Sequence, residues 1–448
     1  MRAWGRSTLV VLGAAVLAAC PHDFTRRGRD GARDPDTRAG ERAHPHDLAR
    51  EAPCLTNADC VDPHPCTEDT CTSAGCSHVP TSGQCFIGGG CFAAGDINPA
   101  SSCEHCDPSV AQLSYTKFLG KGCVATVAGG IGSGYADGPA AAAQFRSPGG
   151  VRVDSSGVYV ADTLNDRIRK ISEGIVITAA GGQPCGMQDG QGANASFCSP
   201  WGITVSPLDG LVVADASNHA IRRVDLKTYV VSTLVGDGTE GFSDGPAATA
   251  KLKLPYAVAY GPKGIYFATN FRIRVIAGDG SRTVSTLAGS GVWGFKDGAA
   301  TESQFKDVQG LAVDGDDIYV ADSGNHRIRH VRGDGATTTL AGSGSNVFKD
   351  GTGAEAGFAN PTGLAIASST SSSLVLYVAD TFHDRIRTLA VAGAKVTVST
   401  LAGDGVTGLR DGAAATARFW SPMGLAVDSG GRIYVADSGN HAIRVINP

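Results

Sequence analysis

From residue 124 onward the hydrophobic residues fall in short runs broken by Gly, Asp, Ser and Asn, and no stretch holds apolar residues at helical spacing over several turns. Runs such as Val284-Ser285-Thr286-Leu287-Ala288 and Gly310-Leu311-Ala312-Val313 are short and apolar and have the length of strands set between tight turns. They recur six times with a period of roughly 53 to 61 residues. Each unit opens on an apolar residue, one spacer and Asp-Gly, with the acids at Asp137, Asp189, Asp244, Asp297, Asp350 and Asp411. A bulky apolar residue follows (Phe145, Phe197, Leu252, Phe305, Phe358, Phe419). Three positions later stands a Pro, except in the fourth unit, where Val308 takes its place. A first apolar strand comes next, then a polar turn and a second strand ending in Ala-Asp at Asp162, Asp215, Asp322, Asp380 and Asp437. Seven residues beyond each of these acids lies an Arg: Arg169, Arg222, Arg329, Arg387 and Arg444. The third unit departs from the pattern. Thr269 replaces the Asp, Arg274 follows after only five residues, and the Asn-His step is missing.

Four short strands per unit make a sheet that is apolar on both faces. Such sheets are buried by their own kind when they repeat radially, which predicts a propeller. The competing solenoid needs polar caps at its ends. The chain instead supplies an orphan outer strand at residues 124–129 and ends its sixth unit after the third strand, at residues 443–446. Joining the two closes a ring and removes the exposed sheet edges. The expected fold is therefore all-β, a six-bladed propeller over residues 124–448.

The segments Tyr319-Val320-Ala321-Asp322-Ser323-Gly324-Asn325-His326-Arg327-Ile328-Arg329 and Tyr434-Val435-Ala436-Asp437-Ser438-Gly439-Asn440-His441 resemble the NHL repeat, named for an Asn-His-Leu motif, with Arg or Ala here in place of the Leu. The Leu-Ala-Gly, Asp-Gly and Pro-x-Gly elements are similar to those of bacterial NHL arrays akin to the teneurin propeller. The resemblance implies a six-bladed NHL propeller.

The repeated polar residues read as scaffold, because one active site requires asymmetry and six copies supply none. Each Ala-Asp acid should pair across its hairpin with the Arg seven residues on, the Arg forking onto carboxylate or turn carbonyls. Arg274 then needs another partner. The Asp of each Asp-Gly is expected to cap a helical turn in the inter-blade loop. His219, His326, His383 and His441 are assigned one common hairpin slot, at a radius where they cannot converge on a metal.

Function should then sit where the repeat varies. Two sets of positions precede the inner strands and are expected to ring the channel mouth. The position after the bulky apolar residue holds Arg146, Cys198, Lys253, Lys306, Ala359 and Trp420. The position after the Pro holds Gly149, Trp201, Tyr256, Gln309, Thr362 and Met423. Trp201, Tyr256, Trp420, Arg146, Lys253 and Lys306, with Trp293 in a neighbouring loop, form a candidate aromatic and basic recognition rim. Cys185 and Cys198 lie in one loop and are expected to form a disulfide.

The N-terminus adds a second theme. Arg2 and Arg6 precede an apolar stretch at residues 9–17, too short to span a bilayer, that ends in Leu17-Ala18-Ala19-Cys20. This resembles a bacterial lipobox, with residues 1–19 a signal peptide and Cys20 the lipidated first residue, held to the membrane by its acyl chains. Residues 20–53 read as a tether: in residues 21–53, fourteen of 33 positions are charged and Phe24 is the only aromatic, so no core can form. Ten of the 13 Cys fall between Cys54 and Cys123, within a Gly-, Pro- and Ser-rich segment expected to be a module stapled by about five disulfides. Zinc is disfavoured, since only Cys103 and Cys106 have ligand-pair spacing.

Composition narrows the classes. A net charge of −5 gives no basic footprint for nucleic acid. Six-bladed lactonases and the peptidyl-hydroxyglycine lyase resemble such a ring and hold a metal with acids or His from several inner strands. Here those strands, for example Gly150-Val151-Arg152-Val153 and Gly363-Leu364-Ala365-Ile366, carry neither. The expectation is a binding or scaffold protein, without metal or cofactor. It would sit in the cell envelope, periplasmic or surface-exposed, with an extracytoplasmic protein, peptide or glycan as partner. A metal-dependent propeller enzyme is the alternative.

Overall fold

In the computed structural model, the described residues are 119–448, apart from 183 and 270, together with the backbone of seven strands between residues 67 and 117 and the side chain of Cys103. The expected signal peptide, Cys20, the tether and Cys54, Cys60 and Cys66 lie outside the described residues.

The repeating units fold as six antiparallel sheets. The first blade shows the plan: an inner strand Gly150–Asp154, a second strand Gly157–Asp162, a third Arg167–Ser172 and an outer strand Ile175–Ala180. The two residues Gly138–Pro139 add a short fifth strand at its edge. The inner strands of the other blades are Pro200–Ser206, Ala257–Gly261, Val308–Asp314, Pro361–Thr370 and Pro422–Val427. Each inner strand contacts the next in cyclic order, and the sixth contacts the first, so the ring is closed.

Closure runs through the strand Cys123–Gly129, which pairs antiparallel with Ala442–Asn447 and supplies the outer strand of the sixth blade. The orphan strand and the incomplete last unit meet as the sequence requires. A disulfide joins Cys123, the first residue of this strand, to Cys103. Cys103 lies in the three-stranded sheet of Ile97–Asn98, Ser101–Asp107 and Ala111–Lys117.

Hydrophobic packing is almost wholly between blades. Six clusters fill the interfaces, as where Leu311, Ile318 and Val320 of the fourth blade meet Ala257, Tyr266 and Phe305. Alternation along the inner strand sends Leu311 to one neighbour and Ala312 to the other. The approach of the inner strands is set by glycine. A Cβ on Gly310 would collide with the Thr362 carbonyl oxygen, one on Gly363 with that of Met423, and one on Gly150 with that of Trp201. Gly202 and Gly424 stand in the same relation to Tyr256 and Gly149, and the third blade alone has Ala257 at this position.

Candidate functional site

The scaffold chemistry has to be separated from what it leaves free. In the first blade Arg169 is fully buried and its guanidinium is used completely. Nη1 donates to Asp162 Oδ2 at 2.7 Å and to the Gln144 carbonyl, while Nη2 donates to Asp137 Oδ1 at 2.6 Å and to the Ala136 carbonyl. Arg222, Arg329, Arg387 and Arg444 repeat this clamp between two carboxylates. The expected cross-hairpin pairs are therefore present. The Asp-Gly acids, however, do not cap a helical turn. Each is the second carboxylate on the buried Arg, and in five blades it also accepts the N–H of the Thr opposite, as Asp137 does from Thr178 and Asp297 from Thr339. The reason is a bulge at every Ile-Arg step of the third strand, which turns the Arg toward the loop.

In the third blade, Arg274 leans on Asp244 at 2.8 Å and on the carbonyls of Lys251 and Ser243. The Thr269 hydroxyl takes over the missing carboxylate's other task, accepting the Lys253 N–H at 3.0 Å. Burial pushes the carboxyls of Asp215 and Asp437 up to about 6, against the hydrogen bonds and charge of Asn218 and Arg222 in one case and Arg444 and Asn440 in the other.

A second clamp links the blades. The residue before each Pro position has left-handed φ, between 44° and 53°. Its N–H is received by the left-handed residue of the preceding hairpin: Ser147 donates to His441 Nδ1 at 3.1 Å, Ser199 to Asp166 at 2.7 Å, Leu254 to His219, Asn360 to His326 and Ser421 to Asp384. His383 does not share this slot. It stands one residue earlier, in the place of Asn165, Asn218, Asn325 and Asn440, and contacts Asp380 Oδ2 through Nδ1 at 2.9 Å. The slot is set by distance from the Ala-Asp acid, three residues for His383 and four for His219, His326 and His441. Burial holds the imidazoles of His219, His326 and His441 below the usual histidine value, consistent with neutral rings that accept a backbone N–H. Hydroxyls of Thr163, Ser323, Thr381 and Ser438 add a further clasp, donating to the carbonyls of Pro200, Pro361, Pro422 and Pro148 in the next blade. Only the junction of the third and fourth blades has neither clasp among the described residues, because its hairpin is two residues short and carries Phe271 at the left-handed position.

The candidate rim residues do not form one ring. The channel mouth is lined by Gly149, Trp201, Gln309, Thr362 and Met423, together with the inner-strand glycines that follow. Trp201 meets Tyr256 edge to face with ring centroids 5.6 Å apart. Arg146, Lys253, Lys306 and Trp420 lie farther out. The N–H of each of these four is tied to the Asp or Thr that ends its blade's second strand, which draws it against the hairpin. Lys253 is paired with Glu240 at 2.5 Å, and Lys306 sits over the Trp293 ring at 4.5 Å. Trp293 and Trp420 remain about half exposed, at 56% and 49%. Cys185 and Cys198 form a disulfide. Asp307, which precedes Val308 and which the sequence pattern does not single out, has its carboxylate free of hydrogen bonds and ion pairs among the described residues, and its charge bears on the Tyr256 hydroxyl after the larger effect of burial. Desolvation raises its pKa. Among the described residues no three His, Cys, Asp or Glu side chains gather as metal ligands.

Comparison with known proteins bears on the family. The NHL repeat model matches residues 197–223, 305–331 and 419–446. The chain is 31% identical over 283 residues to Protein SUPPRESSOR OF QUENCHING 1, chloroplastic, of Arabidopsis thaliana, a match covering 58% of this chain and 26% of that protein. It is 29% identical over 341 residues to NHL repeat-containing protein 2 of Gallus gallus, covering 67% of this chain and 46% of the relative. The match thus spans a quarter to a half of these curated relatives. Among solved structures, an auxiliary nutrient binding protein from Bacteroides thetaiotaomicron superposes with a TM-score of 0.57 at 16% identity, covering 85% of this chain and 87% of the other, a likeness of fold.

Proposed function

The chain being a six-bladed NHL-repeat propeller, we propose that it is a binding or scaffold protein of the cell envelope. In this reading it is exported, lipidated at Cys20 and held off the membrane by residues 20–53. The loop face of the propeller then grips an extracytoplasmic protein, peptide or glycan. One observation carries the proposal. On this face the repeated polar side chains are consumed by the scaffold, whereas Trp201, Tyr256, Gln309 and Arg146, all non-repeating, make no side-chain hydrogen bond among the described residues. Concave mouths with aromatic walls and a few free polar groups are where proteins bind ligands. The inner strands carry no His and no acid apart from Asp154 and Asp314 at their far ends, which favours binding over catalysis, and no metal, cofactor or nucleic-acid partner is proposed.

The test is paired capture from envelope extracts by the full chain and by Trp201→Ala and Trp420→Ala. A partner held by the wild type and lost from either variant supports the loop face. Identical capture by all three removes it. Radiolabelled palmitate incorporated by the wild type but not by Cys20→Ser tests the anchor. A stoichiometric metal with turnover of a lactone or peptidyl substrate would replace binding by catalysis.

A further inference from the structure

The departures from sixfold regularity coincide at one place. At the junction of the third and fourth blades Thr269 replaces the acid, the hairpin is short, Val308 replaces the Pro, and both inter-blade clasps are missing among the described residues. At the other five junctions the N–H before the Pro position is received by an imidazole or a carboxylate. The Asp307 N–H has no acceptor among the described residues, and neither does its carboxylate have a donor. Asp307 is nevertheless in the same left-handed conformation, at φ 53°. One exposed residue therefore presents a donor and an acceptor without partners among the described residues, two positions before Gln309, which lines the channel mouth. Tyr256 is close enough for the Asp307 charge to bear on its hydroxyl. Trp201 adds its ring at 5.6 Å from Tyr256 and an unengaged indole N–H, and Gln309 lines the mouth with a free amide.

We propose that this unclasped junction is a carbohydrate site, with Asp307, Tyr256 and Gln309 bonding sugar hydroxyls and Trp201 and Tyr256 covering the apolar face of the ring. The inference rests on the loop-face reading above and narrows its ligand. The mixture of groups decides the class. A hydroxyl both donates and accepts, so vicinal hydroxyls satisfy the Asp307 carboxylate and N–H together, along with the amide of Gln309. A cationic amine only donates and would leave the Asp307 and Trp201 N–H groups unpaired in the complex. An anion would face the carboxylate. The glycine-walled mouth holds a cavity of only about 60 Å³, which suits one terminal sugar or a chain lying across it.

The experiment is calorimetric titration of the full chain with maltohexaose, cellohexaose and chitohexaose, and with a lysine pentapeptide, alongside Trp emission. Asp307→Ser is the central variant, since Ser147, Ser199 and Ser421 occupy the equivalent left-handed position. Tyr256→Phe removes only a hydroxyl, and Leu208→Ala, an exposed residue in the turn that follows the inner strand Pro200–Ser206, is the control. The expected result is binding of at least one oligosaccharide with altered Trp emission. Binding should be weakened about tenfold by Asp307→Ser and several-fold by Tyr256→Phe, and left unchanged by Leu208→Ala. Three results overturn the inference: no oligosaccharide binds, binding survives Asp307→Ser undiminished, or the lysine peptide binds in place of the sugars. In each of these cases the broader loop-face reading still stands if Trp201→Ala or Trp420→Ala abolishes envelope capture, and falls separately if neither does.

Discussion

Replacing Arg329 by Met removes a guanidinium that is fully buried and donates to Asp322, Asp297 and the carbonyls of Gln304 and Lys296. Asp322 is left without its cation at full burial, although the N–H of Lys306 and the amide of Asn325 still reach it. Breaking a buried pair on one side costs about 3–5 kcal/mol. Burial already raises the pKa of Asp322, so it can take up a proton and hold the loss near the lower end, about 3–4 kcal/mol. Asp322→Asn should cost less, about 2 kcal/mol, because Arg329 keeps Asp297. The third blade shows that one carboxylate suffices, since Arg274 has Asp244 alone. Asp297→Asn should cost least, about 1 kcal/mol, as the Asp297 side chain is 43% exposed and screened by water. Urea unfolding of the full chain, followed by circular dichroism, reads the three differences. The reasoning fails if Asp297→Asn costs as much as Arg329→Met, or if Arg329→Met lies within about 1 kcal/mol of the wild type.

The imidazole clasps make acid destabilising. For His219, His326 and His441 the folded pKa lies below the unfolded value. Their contribution is therefore complete above the unfolded histidine pKa of about 6.5 and declines as pH falls below it. Carrying Asp at all three, as Asp166 and Asp384 already do, should flatten the stability slope between pH 7 and 5. Asp215 and Asp437 contribute in the opposite sense to both proteins and drop out of the comparison, and an unchanged slope would falsify the clasp assignment. Removing the Cys103–Cys123 bridge by a double Ser substitution should cost about 3 kcal/mol in the chain-entropy estimate for a 20-residue separation. Hydrogen exchange should then rise first in strand Cys123–Gly129, and uniform loosening of the ring would count against this. Gly310→Ala should destabilise by at least about 2 kcal/mol, because its methyl meets the Thr362 backbone, while Ala257→Gly should cost far less; similar melting shifts for the two would refute the glycine-contact argument. Arg327 stacks on Phe295 at 3.8 Å, whereas Ala442 and Leu409 fill the corresponding positions of the sixth blade. Single changes Arg327→Ala and Phe295→Leu should therefore couple by about 0.5–1 kcal/mol in a double-mutant cycle, and strict additivity would refute the stacking role.

The ring was legible because its signals are periodic. Asp-Gly, Pro and Ala-Asp keep phase across six units, and residues 124–129 could only complete the last one. The Asp162–Arg169 type of pair was legible for the same reason, being seven residues apart across a hairpin. What escaped depends on contacts between units. Asp137 reaches Arg169 over 32 positions, through a bulge that no local pattern announces. His441 reaches Ser147 over 294. The rim was read from the right positions but as one ring. The N–H bonds that tie Arg146, Lys253, Lys306 and Trp420 to the second-strand ends separate it into an outer set and a mouth. Asp307 carried a signal that went unused: it is acidic where three other units carry Ser.

The pairing of Cys123–Gly129 with Ala442–Asn447 also has a mechanical side. Cys123 and Asn447 face each other at one end of an antiparallel pair. Tension between the segment before Cys123 and the residues after Asn447 would peel that ladder bond by bond, the geometry of least resistance, rather than shear all its bonds at once. The bridge to Cys103 sits at the very rung where such a load arrives. Force from the N-terminal side of Cys103 crosses that bond and reaches the first rung directly, bypassing residues 104–122, while the ladder itself still holds by its hydrogen bonds.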